Sequence, residues 1–231
     1  MARRSRQDQL PDLKVMSGGI RQSMSDIVFE TLREAILSSE LPGGTPLIEA
    51  QLAKKFNVSK TPIREALQRL GHSGLVDNEL ARGATVHTIT PDDIRDIYEL
   101  RLLLEPSALR QSAPHLSEGE IAEMDKTLNH AESALKDGDL QQLSIQNGKF
   151  HGWLVRHATN KILLDWLDSL SDRRRLISLQ GWAIDNRSDR ELEEHRGILT
   201  AITNGDFDAA AERLKQHIKN FAQIVVKDNP L

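Results

Sequence analysis

From Thr90 to its end the chain is a succession of helix-start signals, and nothing else in it constrains the fold as strongly. Thr90-Pro91-Asp92-Asp93 offers a hydroxyl cap, a proline at a position that needs no donor, and two carboxylates for the positive end of a helix. Ser117-Glu118-Gly119-Glu120 is a capping box, and Asp137-Gly138-Asp139, Ser188-Asp189-Arg190-Glu191 and Asn204-Gly205-Asp206 punctuate the remaining residues. The intervening runs predict helices from Pro91 to Ala113, where Pro114 stops the chain, then from Glu118, on to His157, from Lys161 to Gln180, from Ser188, and on to Lys227. Connections this short force neighbours antiparallel, which predicts an all-α bundle of about six helices over 91–228. Aromatics are only 4% of the 231 residues, so Leu, Ile, Val and Ala must build the cores, and Trp153 and Trp166 are assigned to them.

The chain before Thr90 has a different rhythm. Residues 1–20 carry Arg3, Arg4, Arg6 and Lys14 without a sustained period and read as a flexible basic arm. Over 21–90, Ile27, Val28, Leu32, Ala35 and Ile36 recur at helical spacing between Met24 and Ser38. Leu41-Pro42-Gly43-Gly44-Thr45-Pro46 breaks that helix, and Glu49 to Phe56 forms a short one. After the turn Asn57-Val58-Ser59-Lys60 comes a helix with Thr61 as N-cap, Pro62 in its first position and Ile63, Ala66, Leu67 and Leu70 inward. Two β-prone runs, Leu75-Val76-Asp77 and Ala84 to Ile89, then read as a two-stranded ribbon. This is the order of a winged helix-turn-helix, whose second helix enters a DNA major groove.

With no cysteine, disulfides, thiolate zinc and cysteine nucleophiles are excluded, and a metal site must use His, carboxylate or amide ligands. No stretch reaches the roughly 18 apolar residues of a membrane helix, and no apolar run follows the basic start. A cytoplasmic location without a membrane partner is expected. The net charge is −4, with the basic excess in the front of the chain and the acidic excess behind it.

Leu52 to Leu70, with Gly74-Leu75-Val76 and Arg82-Gly83-Ala84-Thr85-Val86 downstream, resembles the winged helix of GntR-type bacterial transcription regulators. The resemblance implies double-stranded DNA as partner. Lys60, Thr61 and Arg64 start the second helix, where side chains meet base edges and free N–H groups meet phosphate. Arg82, at the ribbon tip beside the turn-forming Gly83, is expected to reach a minor groove or backbone, and Arg33 on the first helix a phosphate. One such unit reads few base pairs, so a homodimer on a pseudo-palindromic operator is expected.

Asn147 and His151 are four residues apart and share a helical face, while His195 and His217 lie on two other predicted helices. Spacing alone leaves open whether these imidazoles are core residues or ligands. Tyr98-Glu99-Leu100-Arg101, Glu105-Pro106, Phe150-His151, Glu194-His195, Gly205-Asp206 and His217 make 91–225 similar to the FCD effector domain of the FadR-like GntR subfamily. That family holds a divalent metal through an Asp and three His. The resemblance therefore implies a metal, Zn²⁺ or a similar first-row ion, on Asn147, His151, His195 and His217, with Asn in place of the family's Asp. It implies further that a small organic acid binds beside the metal, with Arg101 as its cation and Trp182 as an apolar wall. The alternative for Arg101 is a structural ion pair with Glu105, and His72, His87, His115, His130 and His157 are given no role. No His-Glu-x-x-His, phosphate-binding loop or dinucleotide fingerprint is present, so an enzyme is not expected. The competing readings are a metal-dependent hydrolase and a DNA-binding scaffold that answers to no ligand.

Overall fold

The computed structural model describes Pro11, Leu13 and residues 22–79, 83–184 and 188–227. The chain divides into two compact units, Met1–Ile89 and Thr90–Leu231. In the first, α1 (Met24–Leu37) opens on a capping box in which Ser23 accepts from the Asp26 N–H and Asp26 accepts from the Ser23 N–H. It buries Val28, Leu32, Ala35 and Ile36 against α3. The intervening α2 (Glu49–Phe56) ends at Asn57, whose φ of 54° lies in the left-handed region that Asn tolerates at a helix C-terminus.

The second helix of the motif, α3 (Lys60–His72), buries the predicted stripe Ile63, Ala66, Leu67 and Leu70. It begins earlier than expected: Ser59 is the N-cap, Thr61 is already helical, and Pro62 sits third. The ring is tolerated there because the first four N–H groups of a helix have no intrahelical partner. The ribbon, β2 (Val76–Glu79) against β3 (Gly83–Val86), pairs Val76 with Val86 and Glu79 with Gly83. A third strand, β1 (Pro46–Leu47), lies on the other edge of β3 with Pro46 opposite Thr85. Two residues led by an edge proline carry no alternation, which is why the sequence pattern missed it. Of the expected arm only Pro11 and Leu13 are described, and that part is not free: Leu13 is buried and the Pro11 carbonyl accepts from Lys55 Nζ.

The second unit has seven helices among the described residues: α4 (Pro91–Ser112), α5 (Glu118–Lys136), α6 (Leu140–Val155), α7 (Lys161–Ser169), α8 (Ser171–Ile184), α9 (Ser188–Thr203) and α10 (Phe207–Lys227). Ser117 forms the capping box its sequence announces, and Thr90, read as a hydroxyl cap, also forms one with Asp93. A 3-10 turn, Ala113–His115, closes α4 at the expected proline. The helix expected over 161–180 divides at Leu170. There the Ser169 hydroxyl donates to the Trp166 carbonyl at 2.7 Å, competing for a backbone acceptor, and the buried Leu170 turns the chain. The α7 segment buries none of its residues, so Trp166 is 58% exposed instead of filling the core. Trp153 is half-buried beneath the Arg156 guanidinium, 4.5 Å from its ring centroid. Helices α4 and α10 pack along each other, with the Tyr98 and Phe221 rings stacked 5.6 Å apart, and α5 packs on α6 and α9. The buried faces of α6, α9 and α10 carry Phe150, Ile198 and Leu214 together with the three histidines singled out by the sequence.

Candidate nucleic-acid interface and metal centre

At the start of α3, Lys60, Thr61 and Arg64 are all exposed. Ser59 makes no side-chain cap hydrogen bond and the first turn has no acidic residue, so the N–H groups and positive end of the helix face outward uncompensated. Arg64 Nε donates to both oxygens of Glu49, at 2.9 and 3.0 Å, and this bond holds the Glu49 carboxyl below its ordinary range. Arg64, Gln68, Glu49 and Gly83 line a groove of about 540 Å³ between α3 and the sheet. Gly83 opens β3 with φ 80°, a conformation that costs glycine little. Arg82 lies outside the described residues. Arg33 on α1 is occupied by Glu34 at 2.9 Å and Glu30 at 3.7 Å.

In the second unit the structure brings His151, His195 and His217 together, with one ligand atom from each within 4.8 Å of the others. All three are buried. Glu105 on α4 accepts from His151 Nδ1 at 2.9 Å, and Glu194 on α9 accepts from His217 Nδ1 at 2.9 Å. A carboxylate on Nδ1 fixes the tautomer and leaves Nε2 with a free lone pair, the usual support of a metal-ligating histidine. His195 Nε2 and His217 Nε2 stand 3.2 Å apart. Two nitrogens about 2.0–2.1 Å from one tetrahedral ion are separated by about 3.3 Å, so this spacing suits a shared cation. Burial, then the charge of Arg174, lowers His151 to about 3, and burial with the two neighbouring imidazoles lowers His195 well below the ordinary value. Both are thus neutral at neutral pH, which is the ligating form. One turn before His151, Asn147 is buried with its Oδ1 lacking any hydrogen-bond partner among the described residues. A donor set of three imidazoles, two of them braced by carboxylates, and an amide oxygen fits Zn²⁺ or a related first-row ion.

Arg101 is 3% exposed and already engaged: Nε donates to Glu105 Oε1 at 2.6 Å and the guanidinium lies 4.6 Å from the Tyr98 ring centroid. The ion pair weighed from sequence exists, but buried. Burial opposes the charge on Glu105, yet Arg101 and then His151 hold its carboxyl well below the usual carboxylate range. Replacing Arg101 with alanine would leave that charge buried and half-compensated, and is expected to lower stability by about 3–5 kcal/mol, read as a shift in urea midpoint.

A cavity of about 340 Å³ adjoins the centre, lined among others by Glu105, Gly148, His151, Gly152 and Arg174. Arg174 was not singled out by the sequence, yet here it supplies a cation with a donor to spare: its Nη1 is buried and has no hydrogen-bond partner among the described residues. Gly148 and Gly152 put one wall of this cavity on bare backbone, and a Cβ at Gly152 would meet nothing within 4 Å. Trp182, expected as a wall of the effector pocket, is not among the residues lining this cavity, and its Nε1 donates to Glu191 at 2.5 Å. The missed residues carried weak signals. Glu194 adjoins His195 in sequence, while Arg174 is the middle of three consecutive arginines that spacing alone does not separate.

A winged helix-turn-helix joined to an all-α unit with a histidine centre is the architecture of a DNA-binding regulator. The FCD domain family matches residues 96–220, and the gntR family of bacterial regulatory proteins matches residues 24–86. The chain is 32% identical over 185 residues to the Nta operon transcriptional regulator of Aminobacter aminovorans, spanning 79% of this chain and 85% of that protein. It is 27% identical over 209 residues to the HTH-type transcriptional repressor RspR of Escherichia coli (strain K12), spanning 88% and 90%. A GntR transcriptional regulator from Rhodococcus sp. RHA1 shares the fold with a TM-score of 0.77 over 89% of this chain and 99% of that one, at 23% identity. The chain belongs to the GntR family of transcription regulators and carries an FCD domain. Among the described residues no helix is long and apolar enough to cross a membrane.

Proposed function

We propose that this protein is a homodimeric repressor whose grip on a pseudo-palindromic operator is set by a small carboxylate bound beside a divalent metal. The observation that carries the reading is the union of three buried imidazoles, two of them braced by carboxylates, with a cavity lined by Arg174, whose buried Nη1 has no hydrogen-bond partner among the described residues. His151, His195, His217 and the Asn147 amide oxygen would hold Zn²⁺ or a similar ion. Such an ion supplies a localised positive charge with open positions for a carboxylate oxygen. Arg174, in place of Arg101, offers the second anchor, and a cavity of about 340 Å³ suits a molecule of that class. Two helical glycines cost about 1 kcal/mol each against alanine, and the open wall they leave gives them a use.

In the first unit Lys60, Thr61 and Arg64 read bases and phosphates, with Arg82 and Gly83 serving at the wing and Arg33 at the backbone after release from its acidic neighbours. Helices α4 and α7 touch each other and expose Leu100, Leu103, Ile162 and Trp166, apolar surface suited to a second copy. The relatives described as repressors support that sign of regulation. The effector acts only if it binds one arrangement of the dimer better than the other.

Gly152→Leu tests the effector site without altering a charge. Leucine is the better helix former, so the melting temperature is expected to hold or rise. Calorimetric titration with citrate-like and sugar-acid ligands should detect binding to the wild type and at least a tenfold loss in the variant. Equal binding by both would remove the cavity from the account.

A further inference from the structure

An amide side chain has two unlike edges: its oxygen binds a cation, and its NH₂ group turns one away. Asn147 has one edge spoken for. Its Nδ2 donates to Glu191 Oε1 at 3.1 Å, while the other oxygen of Glu191 accepts from Trp182 Nε1 at 2.5 Å. A carboxylate can only accept, so it pairs with the NH₂ edge and never with the oxygen. The Asn147 oxygen is consequently turned away from Glu191, buried and without a partner among the described residues. Glu191 and His195 lie one turn apart on α9, as Asn147 and His151 do on α6, so the same two helices carry both pairs. Asn147, Trp182, Glu191 and His195 together line a narrow recess of about 10 Å³, too small for more than a single small occupant.

The geometry points to Glu191 as the positioning residue of the metal centre: it selects which edge of Asn147 faces the ion, and Trp182 locks Glu191 in that role. This rests on the reading of His151, His195 and His217 as ligands. A glutamine at 191 would have to accept from Trp182 with its oxygen, leaving its NH₂ to pair with the Asn147 oxygen. The Asn147 amide would then turn over and present NH₂ to the centre.

The test is a set of Zn²⁺ affinities for the full chain, measured by competition with a chromophoric chelator, with Co²⁺ absorption reporting the ligand set. Glu191→Gln is expected to weaken Zn²⁺ binding about 10–100-fold, the usual effect of losing a group that orients a ligand. Adding Asn147→Asp should restore at least wild-type affinity, because a carboxylate has no wrong edge to show. Wild-type affinity in Glu191→Gln, or a double variant as weak as the single one, overturns the inference. Circular dichroism of the metal-free proteins checks folding. If Glu191→Gln does not fold, Trp182→Phe removes the lock alone and should weaken Zn²⁺ binding in the same direction, unchanged affinity being contrary. A folded wild-type protein that takes up neither Zn²⁺ nor Co²⁺ overturns the metal site itself and this inference with it.

Discussion

Arg64→Ala is expected to abolish selective operator binding while leaving weak, sequence-indifferent binding largely in place. Arg64 is exposed on the first turns of α3, and Glu49 holds its Nε, so the guanidinium is oriented before DNA arrives. A well-oriented arginine contact to a base is worth about 1–3 kcal/mol, and a dimer makes it twice. The expected loss is thus about 30-fold to about 3 × 10⁴-fold on the specific duplex, against a few-fold on a scrambled one. Arg64→Lys keeps the charge without the planar fork and should recover the weak binding but little of the selectivity. Fluorescence anisotropy on both duplexes at one salt concentration measures the two quantities together. Undiminished selectivity in Arg64→Ala would move the reading residues elsewhere.

The second large effect belongs to the histidines. Changing His151, His195 and His217 to alanine together should reduce bound Zn²⁺ from one per subunit to none, read by elemental analysis after gel filtration. It should also remove the thermal response to the ion. At a hundred times its dissociation constant, a ligand stabilises the folded state by about 2.7 kcal/mol. For a domain of this size that is a rise in Tm of about 5–10 °C. Because the variant strands Glu105 and Glu194 without their imidazole partners, its metal-free stability also falls. The diagnostic comparison is therefore the change on adding metal within each protein.

Much of this was legible because it is local. The capping box at Ser117, the helix-start signal at Thr90 and the apolar stripe of α3 are written within a few residues, and they produced the elements they announced. The three imidazoles were singled out as well, although nothing in their spacing could show that Glu105 and Glu194 would brace two of them. What was lost depends on packing between elements distant in sequence. The strand β1 exists only because β3 offers it an edge, and its two residues have no pattern of their own. Leu170 breaks a helix whose periodicity continues through it, and Trp166 faces outward because α7 packs too lightly to bury it. Arg101 and Arg174 are chemically alike in the sequence. Only the fold distributes them, giving Arg101 to Glu105 and placing Arg174 beside the cavity with its buried Nη1 lacking a hydrogen-bond partner among the described residues.

The most direct test of a metal-dependent, carboxylate-responsive regulator is an anisotropy titration of the purified protein on DNA from upstream of its own gene, against a scrambled duplex, at physiological salt. It is repeated after chelation and with a panel of organic acids. The predicted result is tight, selective binding that one acid releases, with the release lost when the metal is removed. Equally weak binding to both duplexes, or selective binding indifferent to chelation and to every acid, would contradict the account.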